Sequence, residues 1–202
     1  MQVEWTAHRF SGGALALDLT NTVVLRADAL RSFDRFDDPD EIPRFAAAAS
    51  DFRAQELGGR RLSVELAGEL HGRMTGLREA VDRHFRSVAQ AGEIDLGAYG
   101  AMLGACASGL EGRMDRVGGH GRPFGDPNTP LELEAAVALS ALALTALPAG
   151  RIRICRNCRW LFVDRSRNAS RLWCDMTVCG NRNKARRHYA RRRDERGGHA
   201  ND

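Results

Sequence analysis

Residues Cys155 to Arg182 read CRNCRWLFVDRSRNASRLWCDMTVCGNR, and the rest of the chain is best read outward from this stretch. It holds four of the five cysteines, spaced Cys155-x2-Cys158-x15-Cys174-x4-Cys179. Two close pairs about fifteen residues apart have the general form of a four-thiolate zinc site. The spacing follows from the metal. Zinc takes four ligands in a tetrahedron, with zinc–sulfur bonds of ~2.3 Å, and a two-residue gap lets one tight turn deliver two sulfurs. The first pair reads as a knuckle running into a strand, with Trp160, Phe162 and Val163 as local core. The second pair sits where a helix begins, and a helix N-terminus favours thiolate through its dipole and free N–H groups. With all four positions supplied by protein, the site is structural rather than catalytic. The same residues also admit four unconnected thiols or two disulfides. The N-terminal MQVEWTAHRFSGG has no charged-then-apolar leader pattern, which sets the cytoplasm as the expected compartment and metal ligation above disulfides. Cys106, alone in MLGACASGL, reads as a small buried core residue.

The charge is concentrated beside this cluster. From Arg151 to Arg196, fourteen Arg and Lys184 stand against Asp164, Asp175, Asp194 and Glu195, a net of +11, whereas residues 1–150 carry a net of −6. Such asymmetry points to an anionic partner for the basic end. Gly180 to Arg196 has helical composition without proline, and at a rise of ~1.5 Å per residue it would be ~24 Å long, enough to lie in a major groove. Cations at 182, 184, 186, 187, 191, 192, 193 and 196 repel one another in a free helix. A polyanion relieves that repulsion and releases counterions. Ala185 and Tyr189, four apart, can form a narrow face toward the body or the zinc knuckle. Arg186, Arg187 and Arg191 are the first choices for phosphate contacts, with Lys184 on the same flank as Arg187 and Arg191. Arg182 has two readings, a nucleic-acid contact or a partner of Asp164 that caps the knuckle. Asn181 suits turn or cap hydrogen bonds. The bland alternative for the whole segment is a solvated Arg-rich tail.

Upstream, the first 150 residues read as mostly helical. In ALALDLTNT, Leu15, Leu17 and Leu19 alternate as in a strand, while Leu15, Leu19, Thr22 and Val23 share a helical face. A short helix followed by an extended segment through ALRSFDRF is expected. Asp38 as N-cap, Pro39 at the first position and Asp40 and Glu41 in the first turn open the next helix. Leu62, Leu66, Leu70, Met74, Leu77, Val81 and Phe85 recur every three or four residues in a long amphipathic pattern. A further helix is expected from Ile94 to Ala107. EGRMDRVGGHGRPFGDPNTP reads as a hairpin or loop. The apolar run Ala135 to Leu147 is 13 residues long, too short for the ~20 that span a bilayer, and reads as the central buried helix, ended by Pro148 and Gly150. His8, His71, His84 and His120 show no metal-ligand spacing.

The stretch quoted at the outset resembles the CGNR zinc finger. The carrying motifs are Trp160-Leu161-Phe162-Val163-Asp164, Ser166-Arg167-Asn168, Trp173-Cys174-Asp175-Met176 and Cys179-Gly180-Asn181-Arg182, leading into a basic helix. The N-terminal part is similar to the ABATE domain that usually precedes this finger. LALDLTNT, Leu15 to Thr22, carries that resemblance, with Leu19 in place of the usual aromatic. The resemblance implies a class of stress-induced transcriptional regulators.

The expected fold is mainly α (α+β): a helical N-terminal domain with a small β element, then a small treble-clef-like zinc finger ending in a basic helix. The expected division is an ABATE-like sensor domain over 1–150, the finger over 151–196 and a disordered tail over 197–202. The expected cofactor is zinc on Cys155, Cys158, Cys174 and Cys179. The expected partners are DNA, contacted by Arg182, Lys184, Arg186, Arg187 and Arg191, and a small-molecule effector near Asp18, Asn21 and Thr22. Asp18 and Asn21 also suit caps or braces for local backbone. A homodimer or a second protein would add DNA affinity, since one finger offers few base contacts; no membrane partner is expected. There is no GxSxG, P-loop or HExxH motif, so the function reads as non-enzymatic: a zinc-dependent DNA-binding transcriptional regulator. The competing reading is a zinc finger that binds RNA or protein without sequence-specific DNA binding.

Overall fold

Leu15–Thr20 forms helix α1, and each of its six residues is buried. The computed structural model describes residues 2–64, 67–111, 128–148, 150–185 and 189. Because α1 is enclosed on all sides, its apolar residues need follow no single repeat, which is why LALDLT fits strand and helix patterns alike. Beyond it the chain does not continue as one extended segment, contrary to the sequence expectation. Val23–Val24 (β1) and Phe33–Asp34 (β2) pair antiparallel instead, followed by a 3-10 turn over Arg35–Asp37.

Helix α2 covers Glu41–Phe52 and starts two residues later than the sequence suggested. Asp38 still organises the entry. Its side chain accepts the Asp40 N–H at 3.1 Å and its carbonyl accepts the Glu41 N–H at 3.0 Å. Glu41, almost fully buried, in turn holds the N-terminal segment. It accepts from Val3 N at 2.8 Å, Trp5 Nε1 at 2.9 Å and Arg44 Nη1 at 2.9 Å. Trp5 thereby joins a cluster with Phe10, Phe36 and Phe45, its closest ring contact an edge-on approach to Phe45 at 5.2 Å.

Leu62 belongs to a strand rather than to the long helix. Leu62–Ser63 (β3) pairs in parallel with Leu131–Glu132 (β4), Leu62 opposite Leu131. Buried Arg60 fastens the same junction, donating to Thr129 O at 2.6 Å and Pro130 O at 2.9 Å. Helix α3, Ala67–Ala91, then buries Leu70, Met74, Leu77, Val81 and Phe85, the heptad-like face expected from their spacing. Leu66 lies outside the described residues, as does most of the Gly/Pro-rich loop expected after α4. Helix α4, Leu96–Leu110, is capped by Asp95, whose carboxylate accepts from Gly97 N and Ala98 N. Its Cys106 is buried, and burial pushes the thiol up to about 11, so it serves as inert core.

Helix α5, Leu133–Leu144, is the buried centre. Its alanines let neighbours approach closely. A Cβ at Gly109 of α4 would lie 3.3 Å from Glu134 Cγ and 3.5 Å from Ala138 Cβ. Ile152–Ile154 (β5) and Leu161–Val163 (β6) close the described fold as an antiparallel pair. Ile152, Leu161 and Val163 pack into the same core as α1 and α3. The charge step at Arg151 therefore coincides with no break in packing. Among the described residues no helix is long and apolar enough to cross a membrane.

Candidate metal centre and nucleic-acid interface

Strand β5 delivers Cys155 directly into a tight turn. Cys155 N donates to Trp160 O at 2.8 Å, Arg159 N donates to Cys155 O at 3.0 Å, and Arg159 takes a left-handed φ of 64°. This turn places Cys158 beside Cys155. Strand β6 then leads to Asp164, which is wholly buried and organises the return. Its Oδ1 accepts from Ser166 N at 2.9 Å and Ser166 Oγ at 2.6 Å, and its Oδ2 from Arg171 N at 2.7 Å. Burial alone would raise this carboxyl, but these donors and Arg153 hold it below the ordinary value. Arg171 lies over the Phe162 ring at 5.4 Å and donates to Cys174 O at 2.7 Å. The ordered S-R-N turn is thus what brings the second cysteine pair back to the first.

The second pair enters a helix as expected. Asp175 is the N-cap, accepting from Thr177 N at 2.7 Å and Val178 N at 3.3 Å. A wide π-helical turn, Met176–Gly180, carries Cys179 inward, and the helix continues over 181–185. A Cβ at Gly180 would meet the Met176 side chain, Cε and Sδ, at 3.0 Å.

All four sulfurs lie within 4.8 Å of one another. Cys158 and Cys174 are 3.6 Å apart, and Cys174 and Cys179 are 3.7 Å apart. A tetrahedron with ~2.3 Å zinc–sulfur bonds has edges of about 3.8 Å, so the donor set matches zinc in number, softness and spacing. Hydrogen bonds from neighbouring thiols draw Cys155 down to about 6 and lower Cys179 further, while Cys158 and Cys174 are held up as thiols by the same contacts. Four sulfurs this close cannot all ionise alone, and a dication is what permits it. Asn157 Nδ2 lies 3.4 Å from the Cys179 sulfur.

Asp18, Asn21 and Thr22 brace the N-terminal body, and Asn21 also ties it to strand β6 of the finger. Asp18, Asn21 and Thr22 are each buried to within 2% of complete. They line neither the groove beside the metal centre nor the cavity at the α3–α4–β5 joint, and their side chains brace the protein itself. Asp18 accepts from Gly12 N at 2.9 Å and Arg53 Nε at 2.5 Å. Asn21 Nδ2 donates to Leu161 O at 2.9 Å, and Asn21 Oδ1 accepts from Leu161 N at 3.0 Å. Thr22 Oγ1 donates to Leu19 O at 2.8 Å and accepts from Arg78 Nη1 at 3.1 Å. Each of these side-chain polar atoms thus has a partner within the protein.

Trp160 is packed against both His8 and Arg35. His8 stacks on it at 5.3 Å, and the Arg35 guanidinium lies 5.3 Å from its ring centre. His8 Nδ1 also meets Asp175 Oδ2 at 3.0 Å. Hydrogen bonding to the Cys179 sulfur and to Asp175 raises His8 above its ordinary value despite burial. Burial lowers Arg35 to about 9. Neither residue carries a sequence signal for this role, because each acts across more than a hundred residues of chain.

Among the candidate nucleic-acid contacts, Arg182 and Lys184 are exposed at the start of the basic helix. Asp164 is held by Ser166 and Arg171 with Arg153 nearby, and among the described residues no contact joins it to Arg182. Asn181 Nδ2 donates to Thr177 O at 2.8 Å within its own helix. Ala185 and Tyr189 are exposed rather than turned toward the body, with Tyr189 at 70%. Arg186, Arg187 and Arg191 lie outside the described residues. The structure adds Arg153, Arg156 and Arg159, which line a groove of about 560 Å³ between the knuckle and the end of α3. Their spacing on a short strand and a turn left no helical pattern to detect.

A family model described as "CGNR zinc finger" matches residues 151–192. Another, for the ABATE domain and described as "Putative stress-induced transcription regulator", matches residues 13–149. Comparison with curated proteins and with solved structures finds no match. A helical body bonded through Asn21 to the strand beside a four-cysteine centre, and matched over 13–149, places the chain in the ABATE family, with a CGNR zinc finger following the ABATE domain.

Proposed function

We propose that this protein is a zinc-dependent, DNA-binding transcriptional regulator whose N-terminal domain senses a ligand or partner. The observation that carries the reading is the coupling of Cys174 and Cys179 to the start of the basic helix. Asp175 caps that helix, Cys179 sits in its first turn, and Arg182 and Lys184 follow at once in the open. A metal on the four sulfurs would fix where the basic helix begins and which way it leaves the body. A DNA backbone is the partner that such a charge density best accommodates. Arg156 and Arg159, exposed on the first knuckle, extend the cationic surface. Arg186, Arg187 and Arg191 remain the expected phosphate contacts further along.

The family assignment supports a regulatory rather than an enzymatic role. The test is the salt dependence of duplex binding by the wild type and by an Arg182→Ala/Lys184→Ala variant. If both cations touch phosphate, the slope of log K against log salt becomes shallower by about 1.8. An unchanged slope removes them from the interface. Tight binding to single-stranded RNA or to a protein, with weak salt-insensitive DNA binding, would favour the interaction-module reading.

A further inference from the structure

Two hollows adjoin where the helical body meets strand β5. The groove of about 560 Å³ is lined by Arg153, Arg156 and Arg159 of β5 and the knuckle, and by Val88, Ala89 and Gln90 at the end of α3. Next to it is a cavity of about 340 Å³ lined by Phe85, Tyr99 and Leu144 among others. Val88, Gly92, Gly150 and Ile152 belong to both linings. Each volume falls in the range of small-molecule sites, ~300–1,000 Å³.

The groove gathers three cations, and among the described residues no acid lines it. Arg153 is partly engaged, since it donates to Ala169 O and lies 3.8 Å from Asp164 Oδ2. The side chains of Arg156 and Arg159 have no hydrogen-bond or ion-pair partner among the described residues. Their main chains, by contrast, are pinned. Arg156 N donates to Leu172 O at 3.0 Å, Arg159 N donates to Cys155 O at 3.0 Å, and Arg159 O accepts from Arg86 Nη1 at 2.9 Å. Arg159 also stands at a φ of 64°, where glycine or asparagine is cheaper. An arginine there gains nothing for the backbone, so its value lies in the side chain. Cations gathered on one concave wall repel one another, and an anion relieves them. Guanidinium groups meet a carboxylate or phosphate through paired N–H bonds. The apolar part of the lining, Val88 and Ile152, offers a nucleic-acid backbone nothing, but it takes apolar surface out of water.

We propose that this groove is the effector site and takes a small amphipathic anion, its carboxylate or phosphate on Arg156 and Arg159 and its apolar body on Val88 and Ile152. The inference rests on the reading that the protein senses a ligand, and it gives that sensing a place and a chemistry. Val88 belongs to α3, whereas Ile152 leads into Cys155 and the two arginines flank Cys158. The occupant therefore touches both the helical body and the finger.

The test is equilibrium dialysis of full-length, zinc-loaded protein, without DNA, at about 50 mM salt so that charge contacts are weakly screened. The probes are 2-naphthoate, 2-naphthyl phosphate, 2-naphthamide as the uncharged ring, and inorganic phosphate as the charge without a ring. The tighter of the two naphthyl anions is expected to bind at least roughly tenfold more tightly than 2-naphthamide or inorganic phosphate, and its identity tells carboxylate from phosphate. Arg156→Ala/Arg159→Asn, with asparagine chosen because it tolerates the left-handed φ, is expected to bring that anion down to the affinity of 2-naphthamide. Gln90→Glu sets an acid in the groove at an exposed position. It is expected to weaken the anion at least roughly threefold and to leave 2-naphthamide unchanged. The proposal is overturned if neither naphthyl anion binds, or if 2-naphthamide or inorganic phosphate binds as tightly. Unchanged anion affinity in the double variant, or in Gln90→Glu should the double variant not fold, also overturns it, by placing the anion elsewhere on the basic end. Duplex binding without probe binding removes this inference alone, and probe binding without duplex binding removes only the DNA-binding reading.

Discussion

Asn21 holds Leu161 as a neighbouring strand would, donating to its carbonyl at 2.9 Å and accepting from its amide at 3.0 Å. One carboxamide thereby satisfies both backbone groups of a residue with no exposed surface. It joins two parts of the chain 140 positions apart. Asn21→Leu keeps the volume but strands both groups, so it is expected to cost about 2–6 kcal/mol, the sum of two unpaired buried groups. Urea unfolding followed by tryptophan fluorescence measures this. A loss below about 1 kcal/mol would mean that β6 finds other partners.

Gly13 provides a second fastening. Its φ is +83°, and an added Cβ would lie 3.2 Å from Val163 Cβ. The adjacent Gly12 carbonyl accepts the Val163 N–H at 2.8 Å. Gly13→Ala is expected to destabilise by about 1–3 kcal/mol. Gly58→Ala is the control, because Gly58 has φ +61° but nothing near its missing Cβ. Thermal denaturation should show the larger loss at position 13, and equal losses would remove the Val163 contact from the account.

Metal removal should be felt well beyond the finger. Ile152, Leu161 and Val163 belong to the same core as α1 and α3, so loosening the cysteine turns disturbs the body. Cys174→Ser, or chelation of the wild type, is expected to lower bound zinc below one per chain and to shift the main thermal transition. A calorimetric trace in which only a separate, minor transition moves would show that the finger melts independently.

Acid stability should depend on Glu41. Burial would raise its carboxyl, but hydrogen bonds from Val3, Trp5 and Arg44 bring it below the ordinary 4.5. A carboxyl with a lowered folded value stabilises the protein above its unfolded value and loses that contribution as pH falls through the folded one. Glu41→Gln is therefore expected to be less stable than wild type at pH 7 by about 1–3 kcal/mol. The two should converge as pH drops below about 4. A gap that stays constant down to acid pH would assign the effect to packing instead of charge.

Sequence patterns revealed those parts of the protein that are local. The four cysteines, the Asp175-capped helix start and the Leu70-to-Phe85 face of α3 are all set by spacing within one segment, and spacing is what a sequence displays. The strands were harder. Leu62 continues the helical repeat of Leu70 and Met74, but its partner Leu131 lies in a distant segment, and that pairing moves it into β3. Asp18, Asn21 and Thr22 look like ligand-binding residues for a sound reason, since three polar groups amid leucines need partners. Those partners turned out to be Arg53, Leu161 and Arg78, each remote in the chain. His84 was invisible for the opposite reason. It sits in a helix of ordinary amphipathic pattern, and only the fold shows that its buried Nδ1 has no hydrogen-bond partner among the described residues.

The central claim is that the metal centre aims a basic helix at DNA. Its most direct test is duplex-DNA affinity for the zinc-loaded and the chelated full-length chain, from about 50 to 200 mM salt. The account predicts a steep fall in affinity with salt for the zinc-loaded protein, and at least roughly tenfold weaker binding at each salt once the metal is removed. Equal affinity in the two forms, or no binding by the zinc-loaded chain at the lowest salt, would contradict it.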